Sequence, residues 1–245
     1  MDFTLTSRYE RKYFIDAGLA MELKGWLSSF IHHDKFSRDQ VDKKYSICSL
    51  YLDNEYLSLY HQTLYAEKNR FKLRLRTYGD NPHDPVFVEV KKRLDQVVHK
   101  ERCMVSRQVC HELVSSLVEQ KPVKGVGKDS ATNRFMDLSR TIQAKPLLLV
   151  RYKREAFDSR EADPVRVTFD TGLSTRLSPE GEISHSGSGW TDVIVPGVIL
   201  EIKYSNIFPG WLQTMTDSFG LRYLSVPKYG FCVEASPSLA PMTSN

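Results

Sequence analysis

With 245 residues, 41% of them hydrophobic and 26% charged, the chain can bury a substantial core, and its composition excludes a disordered or low-complexity polymer. A formal net charge of +4 excludes a polycation that gathers anions by bulk charge, so an anion-binding role has to come from local clustering. No run approaches the ~20 apolar residues of a membrane-spanning helix, and the start MDFTLTSRYERKYF has neither the basic n-region nor the apolar h-region of a secretory leader.

Residues 8–15 read as a first strand. Asp16 is placed to cap a helix running to about His33, because Leu19, Leu23, Trp26, Leu27 and Phe30 keep helical spacing. Residues 45–52 form a strand rich in β-formers, closed by the turn-prone Asp53-Asn54, and residues 57–65 fit a short helix. Residues 70–78 and 85–92 are two strands joined by Gly79-Asp80-Asn81-Pro82, and 97–105 continues them as an antiparallel meander. Ser106 caps a second helix with Val109, Leu113 and Leu117 on one face, and 131–143 is helical as well. Further on, 146–157, 165–170 and 198–204 read as strands, 184–189 (SHSGSG) as a flexible loop and 211–219 as a short helix. With no repeat or linker, the expectation is one α+β domain over residues 1–235, its antiparallel sheet flanked by helices packed outside, and a disordered tail at 236–245. Cys48, Cys103, Cys110 and Cys232 lack C-x-x-C pairing, which favours reduced thiols in a cytoplasmic protein.

The strands carry an unusual pattern. In residues 71–78, Lys72, Arg74 and Arg76 fall on one face while Phe71, Leu73 and Leu75 fall on the other. Val88-Glu89-Val90-Lys91 and Leu200-Glu201-Ile202-Lys203 alternate in the same way. Adding Glu10, Lys12, Lys100, Arg102, Arg154, Arg166 and Lys228 gives a set in which basic residues clearly outnumber acids. Were the sheet closed into a barrel, these charges would line its interior, where unpaired ions cost several kcal/mol each; such a barrel needs a wet lumen or a bound polyanion. A nucleoside triphosphate or inorganic polyphosphate suits it, since Arg forks bind phosphate oxygens in pairs and Lys adds compact charge. The few carboxylates then have a use as ligands of a divalent cation shared with the phosphates.

Seven segments in series resemble the catalytic domain of the vacuolar transporter chaperone (VTC) family. They are E-R-K-Y at 10–13, S-L-Y-L-D-N at 49–54, R-L-R-x-Y-G at 74–79, F-V-E-V-K at 87–91, R-x-A-F at 154–157, V-R-V-T-F-D-T at 165–171 and L-E-I-K at 200–203. The resemblance implies an antiparallel β-barrel tunnel, the triphosphate tunnel fold, shared with adenylate cyclase and thiamine triphosphatase relatives. It implies transfer of the ATP γ-phosphoryl group onto a growing polyphosphate chain, with Mn2+ or Mg2+ as cofactor. Lys12, Arg74, Arg76, Lys91, Lys100, Arg154 and Arg166 match the family's phosphate ligands, Lys203 joins them as a substrate contact, and Lys228 matches a lysine near the C-terminus. Glu201 matches the metal-binding glutamate, with Glu10 and Glu89 as further metal candidates. Three positions depart from the pattern: Thr63 and Ser225 replace basic residues, and Pro227 replaces a serine.

Two other readings of the same residues stay open. One is a tunnel-fold hydrolase that cleaves tripolyphosphate or nucleoside triphosphates with water. The other is a non-catalytic polyphosphate-binding module, against which a retained Glu201 argues. Nucleic acid is not an expected partner, because the basic residues alternate with aliphatic ones instead of exposed aromatics. ATP, polyphosphate and pyrophosphate are the expected ligands, a peripheral membrane or transporter partner at the inner face of a membrane fits a polymerase that delivers its product, and the oligomeric state is left open.

Overall fold

The computed structural model describes residues 9–95, 97–121, 129–160, 164–205 and 207–242. In chain order the elements are β1 (Tyr9–Ile15), α1 (Ala17–Leu27), β2 (Ile31–His33), α2 (Lys35–Arg38), β3 (Tyr45–Asp53), α3 (Ser58–Leu64), β4 (Asn69–Thr77), β5 (Val86–Leu94) and β6 (Val97–Val105). They continue with α4 (Arg107–Glu119), α5 (Ser130–Thr141), β7 (Lys145–Ser159), β8 (Arg166–Leu177), β9 (Thr191–Asp192), β10 (Val198–Tyr204), α6 (Gly210–Ser218), α7 (Lys228–Glu234) and a 3-10 helix at Pro237–Met242. The hydrogen-bonded strand order is β1-β10-β8-β7-β3-β4-β5-β6, with β2 on β7 and β9 on β8.

The sheet is antiparallel with helices, as expected; among the described residues its hydrogen-bonded path runs from β1 to β6 without closing, so the expected barrel is not shown. Alternation tells which face of a strand is apolar, not whether the outer strands meet. β6 also has the character of an edge, since its middle, His99 to Arg102, is charged and largely accessible.

The chain divides into two compact units that interleave along the sequence. The first comprises Met1–Tyr45, Tyr152–Leu173 and Ile194–Val226; the second comprises Ser46–Arg151, Ser174–Val193 and Pro227–Asn245. Each has its own core. In the first, Tyr13, Ile15, Val167, Phe169, Leu200 and Ile202 from β1, β8 and β10 are buried against Leu23 and Leu27 of α1 and Leu212 and Met215 of α6. Asp16 caps α1 as read, its Oδ1 accepting from Leu19 N at 2.8 Å. The helix ends at Leu27, short of His33, because Ile31–His33 pairs with β7 as a strand; Phe30 keeps its helix-like spacing by stacking on Trp26 and Trp211 at 4.9 and 5.0 Å. Gly197, at φ +92, admits no side chain, since a Cβ would stand 2.4 Å from Ile15 O.

In the second unit the apolar faces of β3 to β5, with Leu50, Leu52, Leu73, Leu75, Val88 and Val90, bury against Leu113 and Leu117 of α4 and Phe135 and Met136 of α5. The chain continues past α7 into the 3-10 helix at Pro237–Met242. Ser236 Oγ donates to Cys232 O at 2.7 Å, and Leu239 is buried within the 3-10 helix. Residues 243–245 lie outside the described residues. All four cysteines are free thiols, three of them buried.

Candidate functional site

In the second unit, register decides which charges meet. β4, β5 and β6 align Lys72 with Lys91 and Lys91 with Lys100, giving a row of three lysines across the sheet. The next row is Tyr51, Arg74, Glu89 and Arg102, and beyond it stand Ser49, Arg76 and Phe87. Like charges directly opposite one another destabilise a sheet, so the lysine row is tolerable only beside counter-charge. Glu89 supplies it from within the protein. Fully buried, it receives Arg74 Nε at 2.6 Å on Oε2, while Lys100 Nζ and Arg102 Nε approach Oε1 at 2.5 and 3.3 Å. Burial alone would raise its pKa, yet Arg74, Arg76 and Lys100 hold the carboxyl well below the usual range. Arg102 also lies 3.5 Å over the ring of Phe87. One carboxylate faces an excess of cations here, which leaves this strand face electropositive.

Lys100 is the poised member of the cluster. Burial, together with Arg74, Arg76 and Arg102, pushes its ammonium down to about 6, against the pull of Glu89. A polyanion bound on this face would restore the preference for the charged form. Tripolyphosphate binding near pH 7 should therefore take up as much as one proton, and affinity should fall above pH 6 by at most about tenfold per pH unit. Titration calorimetry in buffers of different ionisation heat reads that uptake. It should vanish in Lys100→Arg, and equal uptake in both proteins would refute the assignment.

The first unit carries a second charged face. Its rows are Glu10, Lys203 and Arg166, then Lys12, Glu201 and Thr168, across β1, β10 and β8. Lys12 Nζ lies 2.7 Å from Glu10 Oε1 and donates to Val226 O at 3.5 Å, while Lys203 pairs with Glu201. Arg154 is buried and forked onto Asp170, Nε to Oδ1 and Nη2 to Oδ2, both at 2.7 Å; Nη2 is also 3.7 Å from Glu201 Oε2. Arg166 is held by Asp158 at 3.0 Å and Asp34 at 2.5 Å. Arg154 and Arg166, read as phosphate ligands, thus already carry carboxylate partners.

A profile of the VTC domain family matches residues 7–236. The chain belongs to the VTC domain family. This VTC domain is 29% identical over 221 residues to vacuolar transporter chaperone complex subunit 4 of Trypanosoma cruzi, covering 75% of the chain and 27% of that protein. It is 24% identical over 268 residues to the subunit of the same name in Schizosaccharomyces pombe, covering 91% of the chain and 36% of that protein. It therefore spans well under half the length of these relatives. Among solved structures it shares the fold of HpAC1 from Hippeastrum, a candidate adenylyl cyclase described as having a dominant triphosphatase activity, with a TM-score of 0.52, 17% identity and coverage of 91% of this chain and 92% of that one. A candidate adenylate cyclase from Bacillus halodurans gives a TM-score of 0.50 at 12% identity, covering 91% and 95%. Both likenesses concern the fold alone.

Of the three acids read as metal ligands in the VTC domain, Glu89 fits least: it has no exposed surface, and three cations share its two oxygens. Glu10 and Glu201 are each paired with one lysine, Lys12 and Lys203, which an incoming cation would have to displace. They are hard oxygen donors on neighbouring strands, and the buried Thr168 Oγ1 opposite Glu201 has no hydrogen-bond partner, a place for a bound water. No three His, Cys, Asp or Glu side chains group as a metal site among the described residues. Such an ion would take its remaining ligands from substrate phosphates and water, as Mg2+ does beside one or two carboxylates.

Residues outside the expected site set hold the arginines of these faces. Ser49, Tyr51 and Asp53 alternate along β3. Arg76 Nε donates to Ser49 Oγ at 3.0 Å, and Arg74 Nη1 donates to Tyr51 OH at 3.1 Å. Asp170 follows Arg166 and Thr168 by the same alternation, a signal that was available. Lys228 opens α7, a helix not foreseen. Of the three departures, Thr63 Oγ1 donates to Leu59 O within its own helix, Ser225 is exposed, and Pro227 leaves α7 without a side-chain cap.

Proposed function

We propose that this VTC domain is a metal-dependent phosphotransferase that moves the γ-phosphoryl group of ATP onto the end of a polyphosphate chain. The observation that carries the reading is the lysine row Lys72–Lys91–Lys100 lying beside Arg74 and Arg102, with Glu89 as its internal counter-charge. Such a surface suits an extended run of phosphates better than a single one. Phosphoryl transfer asks mainly for positioning and charge neutralisation. On the second unit's face, Arg74, Arg76, Lys91, Lys100 and Lys228 hold phosphate oxygens. On the first unit's face, Lys12, Lys203 and Arg166 do so, while Arg154 orients Glu201. A terminal phosphate oxygen of the acceptor attacks the γ-phosphorus, the bond from γ-phosphorus to the bridging β-oxygen breaks, and ADP leaves. That nucleophile is already ionised and needs no protein base. A divalent cation held by Glu201 and Glu10 would supply charge neutralisation at the transferred group. The fitting location is cytoplasmic, with a transporter or peripheral membrane partner receiving the product.

Incubation with ATP and Mn2+, followed by a polyphosphate-stained gel beside a free-phosphate assay, tests this. A ladder of long chains is the expected result. Free phosphate without chains would replace the polymerase by a tunnel-fold triphosphatase, and inactivity in both would leave a polyphosphate-binding module.

A further inference from the structure

Helix α7 begins at Lys228, and the residue after it does the fastening. Pro227, the cap position, offers no side-chain hydrogen bond to the first turn. Tyr229 is 1% exposed, stacks on Tyr51 with ring centroids 4.8 Å apart, and donates its phenol O–H to Asp53 Oδ2 at 2.6 Å. Asp53 is itself buried and fully engaged. Its Oδ1 accepts from Asn54 N and Leu59 N, both at 2.9 Å, and its Oδ2 accepts from Tyr60 N at 3.0 Å besides Tyr229.

The arrangement has a local cause. The cap residue of α3 is Leu57, at φ +51 and without a side-chain oxygen, so Asp53 reaches in from the end of β3 to satisfy the helix's first N–H groups. Spare capacity on the same carboxylate then binds α7. A second tie, Tyr60 OH to Glu234 Oε1 at 3.2 Å, joins the two helices farther along. An apolar residue at position 53 would avoid the cost of burying a carboxylate, but it could not orient a phenol. Tyr229 is also the ring over which Lys72 Nζ sits, at 5.7 Å, which brings the lysine row beside α7.

We infer that Asp53 and Tyr229 are positioning residues that aim Lys228 at the phosphate-bearing face of this unit. The inference rests on the phosphate-binding reading of Lys228 given above. Tyr229→Phe removes one oxygen while keeping the ring stacked on Tyr51, so it frees the first turn of α7 without emptying its site.

A double-mutant cycle on the full chain, read as tripolyphosphate affinity by calorimetry with Tm alongside, tests it. Lys228→Ala should weaken binding about tenfold or more, the scale of one charge-assisted contact. Tyr229→Phe should weaken it several-fold alone, yet add nothing in the Lys228→Ala background, while its Tm decrease persists in both. Independent, multiplying effects would overturn the positioning role and leave the phosphate reading standing, as would unchanged affinity in Tyr229→Phe alone. Unchanged affinity in Lys228→Ala would remove Lys228 from the cradle and the inference with it. Should Tyr229→Phe fail to fold, Asp53→Asn, which keeps an acceptor for the α3 amides, completes the same cycle.

Discussion

Glu89→Gln should destabilise the protein by about 3–5 kcal/mol, the range seen when one partner of a buried ion pair is removed. Gln fills the same space, so the loss comes from charge. Glu89 has no exposed surface, and Arg74, Lys100 and Arg102 converge on its two oxygens at 2.6, 2.5 and 3.3 Å. Without the carboxylate those cations lose their shared counter-charge, Arg74 most of all because it is the least accessible of the three. Chemical denaturation should show the midpoint fall with the slope unchanged. Tripolyphosphate should then raise the midpoint more in Glu89→Gln than in wild type, because the anion replaces the missing charge. The pH dependence follows from the same contacts. Glu89's folded pKa lies well below 4.5, so its stabilisation is complete above the ordinary carboxylate range and is lost as pH falls through the folded value. A cost under about 1 kcal/mol would mean that the pairs are solvated and that the charge excess has been misjudged.

How far the sequence carried is best seen in these strands. Period-two alternation placed Lys72, Arg74, Arg76, Glu89, Lys91, Lys100 and Arg102 on charged faces, and all keep them. It could not say that Lys91 would face both Lys72 and Lys100, because that depends on the offsets set by the turns after Thr77 and Leu94. Glu89 illustrates the consequence: by motif it was a metal candidate, by register it is a counter-ion among cations. The partners Asp34 and Asp158 of Arg166 sit on other elements of the first unit, β7 and the cap of α2, so proximity in sequence held no hint of them. β7 and β8 each run through both compact units, so no linker marks the division in the sequence. α7 escaped because it is only seven residues long, KYGFCVE, and holds an interior glycine, a poor helix former.

Glu201→Gln should reduce metal-dependent turnover by about 100-fold or more, the rate equivalent of several kcal/mol of lost charge stabilisation at the transferred phosphoryl group. The substitution keeps the shape of a side chain that is 5% exposed. The protein should stay folded, since Arg154 retains its two 2.7 Å bonds to Asp170. Binding measured without metal discriminates between a ligand and a mere structural acid. If this face binds phosphate as proposed, Glu201 is a negative charge on it, so its neutralisation should leave metal-free tripolyphosphate affinity equal or higher. What disappears is the increment that Mn2+ adds to affinity and to rate. Calorimetry with and without Mn2+, beside the polyphosphate gel, reads both quantities on one preparation. Full activity in Glu201→Gln would mean that the cation is held by other residues, and lost metal-free binding would mean that Glu201 shapes the cradle instead of serving the ion.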